Sequence, residues 1–378
     1  MAALYLTHRP RSFDDVVGQE HVVRILRNAL RRDALTHAYL LTGPRGTGKT
    51  TLARLLACAV NAPGGPRVDF DPDVGEAPRI LDGTSLDLVR EINAAQQNGI
   101  DDIRELQRSA ALAPAQGSVK VYILDEAHAY SGHAANALLK LLEEPPSSVM
   151  FVLCTTEPGK LLATITSRCQ HLALRRPSVG QLATALRRIA DREGFEISDG
   201  ALRLCARAGQ GAFRDAIGKL EQATLSADGP VDEHAASQAL GIVGEEIASK
   251  FTAAIIAREA PAVLQGVEEL DLAGHDTASV LDVLCGWMRL IYLHQLTGGI
   301  PAEDDPGGEQ HELLIAQASE LSTAETLQCV DWLSAARKDI RDGVEARIAV
   351  EMALLRCARR DQQLDARVSR LERAAVAA

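Results

Sequence analysis

The octapeptide GPRGTGKT, residues 43–50, restricts the folds open to this chain more than any other stretch. It fits G-x-x-x-x-G-K-[ST] and lies between an apolar run that reads as a strand, HAYLLTG (37–43), and a helical period over 48–60. That setting is what a phosphate cradle needs. Gly43, Gly46 and Gly48 let backbone N–H groups curl round a polyphosphate, with Pro44, Arg45, Thr47 and Thr51 completing the candidate wall. Lys49 reaches the β and γ phosphates, Thr50 offers a hydroxyl to Mg²⁺, and the helix N-terminus adds its dipole. The expected ligands are therefore ATP and Mg.

A strand–loop–helix unit of this kind belongs to an α/β layer, and the surrounding pattern agrees. Further strand candidates are LDLVREIN (86–93), VKVYILDE (119–126), VMFVLCTT (149–156) and HLALR (171–175), with a helix over 132–143. Alternation with helices predicts a mostly parallel sheet, and near-continuous Val/Ile/Leu suits strands buried on both faces. VYILDEAH (121–128) delivers two acids at a strand end about 75 residues after the phosphate loop. Asp125 is the candidate to hold Mg²⁺ through water, and Glu126 to orient or deprotonate an attacking water. Thr156, on the next strand, is placed to position that water. His128 follows the acids, where a structural or coupling role suits it better than that of a base.

Beyond Pro177 helical signals take over. Periods over 178–193, 199–208 and 212–226 form a three-helix segment closed by the turn formers SADGP, and a longer helical stretch over about 243–360 is interrupted by a loop at 297–309. At 378 residues two or three domains are expected: 1–176, 177–241 and 242–378. Leu364, Val368 and Leu371 stand at heptad spacing over fewer than three heptads, a weak coiled-coil signal that a frayed terminal helix explains better. Neither a signal-peptide core nor a membrane-length apolar run occurs, so a cytoplasmic protein without membrane contact is expected. The seven cysteines never pair as Cys-x-x-Cys and read as buried, reduced thiols. A net charge of −11 argues against wrapping nucleic acid, yet residues 1–60 hold nine Arg or Lys against four Asp or Glu, a local +5. With aromatics at 3%, any nucleic-acid contact falls to the backbone and not to base stacking.

Taken together these residues resemble the AAA+ ATPases, a P-loop domain followed by a helical lid. RPRSFDDVVGQEHV (9–22), HAYLLTGPRGTGKTTLARLLA, DEAH with NALLKLLEEPP (125–146), TTEPGKL and TITSRCQ narrow the resemblance to the gamma/tau subunits of the bacterial DNA polymerase III clamp loader. The resemblance implies an ATPase domain over 1–176, a lid over 177–241 and an oligomerisation collar over 242–378. It also implies a pentameric ring with delta and delta-prime subunits that opens a sliding clamp and closes it on primer-template DNA. Arg168 of Ser-Arg-Cys would be a finger reaching the ATP of the adjacent subunit, where a planar, permanently charged guanidinium suits developing phosphoryl charge. Arg214 of GAFRD would meet the γ-phosphate of its own subunit, and Arg9, Pro10, Val17 and Gly18 would border the adenine. Arg104, Lys140 and Thr164 would touch the DNA backbone, contacts that carry no base sequence.

Two departures qualify the resemblance. The family's four-cysteine zinc module is replaced by VNAPGGPRVDFDPDVGEAPRILDGTS, with no cysteine between Cys58 and Cys154, so no zinc site is expected and residues 61–85 read as an irregular loop. The longer tau form carries extra domains that bind the replicative helicase and polymerase, and their absence puts those two contacts in doubt. Two other readings stand beside the motor subunit. A delta-prime-like scaffold would have a decayed ATP site, against which Lys49, Thr50, Asp125 and Glu126 speak. A branch-migration helicase would add a winged domain, for which the pattern after 243 offers no strand pair.

Overall fold

The computed structural model describes residues 3–359, apart from 113, 115–118, 228, 242–243, 273–274, 276, 302–303 and 307. The chain divides into two compact units, Met1–Asp232 and Glu233–Ala378.

The first unit is built on a five-stranded parallel sheet of β1 (Ala38–Thr42), β2 (Val89–Asn93), β3 (Lys120–Asp125), β4 (Val149–Thr155) and β5 (Gln170–Ala173), in the order β2-β3-β4-β1-β5. All of β1 and β4 is buried, because helices cover both faces. Side-chain alternation splits the core in two. Tyr39, Leu41, Ile123, Val152 and Cys154 pack with the helices Glu20–Arg31 and Lys49–Val60. Leu40, Leu124, Phe151 and Leu153 pack with the helices Ile100–Ala110 and Gly132–Glu143. Tyr122 and Phe151 stack across β3 and β4 with ring centroids 5.6 Å apart. This topology sets β1, β3 and β4 side by side, so the loops leaving their C-terminal ends converge.

The three-helix segment is Val179–Glu193, Asp199–Ala208 and Phe213–Leu225. Ser178 and Gln181 form a capping box at its first N-terminus, and Gly194, in the left-handed region, ends that helix. The second unit contains seven helices among the described residues, from Glu233–Leu240 to Ala346–Ala358. Its core gathers Phe251, Trp287, Met288, Leu333 and Leu354. Inside it the Trp287 indole donates to Gln317 Oε1 at 2.7 Å, and Gln317 Nε2 donates to the Ser249 carbonyl at 2.9 Å. The expected loop at 297–309 falls between the helices Thr277–Thr297 and Gly308–Glu320.

Several local expectations need correction. β2 begins at Val89 and not at 86, because the Leu86 and Val89 amides bond back to Thr84 and Ser85 in a turn before the ladder starts. β5 covers Gln170–Ala173, not 171–175. Residues 61–85 are no mere irregular loop. They contain a short helix, Ala77–Leu81, and bury Val68, Phe70, Ala77 and Ile80, with Phe70 edge-on to Phe13 at 6.3 Å. Buried apolar side chains among the Pro, Gly and Asp, Ala62 included, outweighed the composition. Cys58, Cys154, Cys205, Cys329 and Cys357 are buried and outside any disulfide, whereas Cys169 and Cys285 are only half-buried. Leu364, Val368 and Leu371 lie outside the described residues. Among the described residues no helix is long and apolar enough to cross a membrane, and no group of three His, Cys, Asp or Glu could hold a metal ion.

Candidate functional site, a phosphate loop beneath a helical lid

The loop after β1 turns on glycines that no other residue replaces cheaply. Gly43 has φ 148°, and a Cβ there would lie 2.6 Å from the Leu174 carbonyl oxygen. Gly46 has φ 75°, and its Cβ would meet Ala212 Cβ at 2.6 Å. The lid therefore sits directly on the loop, and the Phe213 amide donates to the Gly46 carbonyl at 2.9 Å. Lys49 opens the following helix with its Nζ donating to the carbonyls of Gly43 and Pro44, both at 2.9 Å. Burial pulls its ammonium below the usual lysine range. Thr47 Oγ1 donates to the Pro44 carbonyl at 2.9 Å, while Arg45 is exposed.

β3 carries Asp125 to the same point. Its Oδ2 accepts from Thr50 Oγ1 at 3.2 Å and its Oδ1 from the Glu126 amide at 3.0 Å. Burial raises the Asp125 carboxyl above the ordinary aspartate range, and the hydrogen bond from the Glu126 amide opposes that shift. Glu126 adopts φ 49°, a left-handed conformation for a non-glycine residue, and its Oε2 accepts from Thr156 Oγ1 at 3.1 Å. Thr156 stands one residue beyond the end of β4. The residues present fit ATP with Mg²⁺. Glycines leave the loop's amides unobstructed, and the hydroxyl of Thr50 beside the carboxylate of Asp125 is a hard oxygen pair of the kind Mg²⁺ takes while keeping its waters.

Arg9, Pro10 and Val17 line one pocket of about 120 Å³ with Thr47, Gly48 and Thr51. Gly18 is not in its lining, being buried beside Gln181 of the lid. From the lid the pocket takes Ile189, Phe213 and Ile217, which the sequence reading missed because the three lie on two different helices. Arg214 sits over the Tyr5 ring at 4.4 Å and donates to its hydroxyl at 3.1 Å. Nothing in the sequence singles Tyr5 out.

Arg168 follows the short helix Ala163–Thr166. Its Nη1 donates to the Thr164 carbonyl at 2.8 Å and its Nη2 pairs with Glu143 at 2.7 Å. Glu143 too went unnoticed, as one acid in a run of polar helix termini. Arg104, Lys140 and Thr164 are exposed on three successively packed helices. Arg104 pairs with Asp101 at 3.0 Å.

Residues 18–178 match the family described as DNA polymerase III, delta subunit, and residues 231–369 that described as DNA polymerase III subunits gamma and tau domain III. The chain is 33% identical over 367 residues to DNA polymerase III subunit tau of Bacillus subtilis (strain 168), a match covering 96% of this chain and 64% of that protein. It is 31% identical over 350 residues to DNA polymerase III subunit gamma of Buchnera aphidicola, covering 92% of this chain and 96% of that one. Among solved structures, a Thermotoga maritima RuvB Holliday junction branch migration motor aligns at TM-score 0.48 and 24% identity, over 66% of this chain and 79% of that chain. The chain spans 54% to 64% of the length of the tau relatives. With the gamma relative matched almost end to end, this chain belongs to the gamma/tau subunit family of DNA polymerase III.

Proposed function

We propose that the chain binds and hydrolyses ATP with Mg²⁺ as a motor subunit of a cytoplasmic clamp-loader ring. With delta and delta-prime subunits it would open a sliding clamp and close it on primer-template DNA. The observation that carries this reading is the 3.2 Å bond between Thr50 and Asp125, beside Lys49 and the Glu126–Thr156 pair. A scaffold subunit has no need of these five groups at one point.

Thr50 and Asp125 would hold the cation, which when bound neutralises charge on the phosphates. Lys49 exchanges the carbonyls of Gly43 and Pro44 for phosphate oxygens, a swap that keeps a buried ammonium hydrogen-bonded. Glu126, aimed by Thr156, takes a proton from the attacking water at its carboxylate oxygen or orients that water in line. Arg214 leaves Tyr5 for the γ-phosphate and so ties the lid to nucleotide state. Arg168 leaves Glu143 to serve the site of the next subunit. Arg104, Lys140 and Thr164 contact the DNA backbone, where neutralising phosphate releases counterions.

Mixing two variants in assembled complexes with primed DNA and a clamp tests the reading. Lys49→Ala abolishes ATP binding in its own subunit. Arg168→Ala leaves binding intact and slows hydrolysis in the neighbour. A loss confined to the subunit that carries Arg168→Ala would remove the finger assignment.

A further inference from the structure

His128 lies three residues after Asp125, on the turn Ala127–Ala129 behind Glu126, and its ring is wedged between two carboxylates. Nδ1 stands 2.8 Å from Thr155 Oγ1 and 3.4 Å from Glu126 Oε2, the same oxygen that accepts from Thr156. Nε2 faces Glu157 Oε1 at 3.4 Å, and the other oxygen of Glu157 is fixed by Lys160 at 2.8 Å. Thr155 Oγ1 also accepts the Glu157 amide at 3.0 Å, so ring, hydroxyl and loop form one closed network. The side chain is 15% exposed, against 31% for Glu126.

The geometry points to His128 as a positioning residue for Glu126: an N–H on Nδ1, shared between Thr155 and Glu126 Oε2, sets where the glutamate carboxylate presents its free oxygen. A left-handed backbone alone does not do this, because the Glu126 side chain keeps its own rotamers and Thr156 supplies a single bond. Two donors converging on Oε2 leave Oε1 as the oxygen free to meet a water. The inference rests on the reading that Glu126 acts on that water, and it adds the residue that aims it. Glu157 and Lys160 act one step further out, by holding the far end of the ring.

The test uses complete complexes with primed DNA and a clamp, measuring ATPase kcat and KM together with the affinity for ATP. His128→Ala lowers kcat roughly 10- to 100-fold with KM and affinity unchanged, since displacing a catalytic group by about 1 Å costs rate on that order. His128→Asn, whose amide can place an N–H near the Nδ1 position, recovers part of the loss, and thermal melting shows whether each variant is folded. Adding His128→Ala to Glu126→Gln produces no further loss. An unchanged kcat in His128→Ala, a defect carried by KM alone, or a full additional loss on top of Glu126→Gln would each overturn the assignment. Undiminished turnover in Glu126→Gln by itself would instead sink the underlying reading of Glu126.

Discussion

Asp125 is half-buried beside Lys49 and Glu126, and its raised carboxyl pKa has two opposite consequences. A cation needs the ionised form, so Mg²⁺-dependent nucleotide binding fails on the acid side at a higher pH than an ordinary aspartate would dictate. Fluorescent-nucleotide titrations in progressively acidic buffers measure this. Folding runs the other way. A carboxyl whose pKa rises on folding binds more protons in the native state, so its ionisation near neutrality costs stability. Asp125→Asn is therefore expected to lose Mg²⁺-dependent binding while keeping an equal or higher thermal midpoint without nucleotide. Gly43 presents the converse case, since the obstacle to a side chain there is backbone and cannot swing aside. Gly43→Ala should cost about 1–3 kcal/mol of stability and weaken nucleotide binding, as read from denaturant midpoints.

At the level of elements, the expectation for residues 61–85 was the least successful, and Phe70 shows why. Composition reports Pro, Gly and Asp, but Phe70, edge-on to Phe13, joins Val68, Ala77 and Ile80 in seating the segment on the sheet's covering layer. Phe70→Ala should destabilise the first unit by about 3 kcal/mol, against near-neutral effects for the exposed Val74→Ala in the same segment. The β-strands that were legible, β1, β3 and β4, are the ones buried on both faces, where the apolar run and the strand coincide. β2 was legible only in its second half, because a turn consumed the amides that periodicity assigned to the ladder. In the site, Lys49, Thr50, Asp125 and Glu126 were legible since motif spacing and strand ends specify them. Tyr5, Glu143 and the lid side chains Ile189 and Ile217 were not. They reach their partners from distant parts of the chain, and no local pattern marks a partner more than a few turns away.

On the scale of the molecule, two units with separate cores predict separable folding. Residues 233–378 expressed alone should give a cooperative denaturant transition followed by tryptophan emission. In that piece Gln317→Leu should cost about 1–3 kcal/mol, because it strands the buried Trp287 indole N–H. Within the first unit, the contact between the Phe213 amide and the Gly46 carbonyl joins lid and phosphate loop through main chain alone. Ordinary mutation cannot sever such a joint, since every amino acid except one carries the same amide. Proline is that exception, and at a helix's first position it is tolerated. The joint between phosphate loop and lid is thus written in the one part of the polymer that genetic drift scarcely edits.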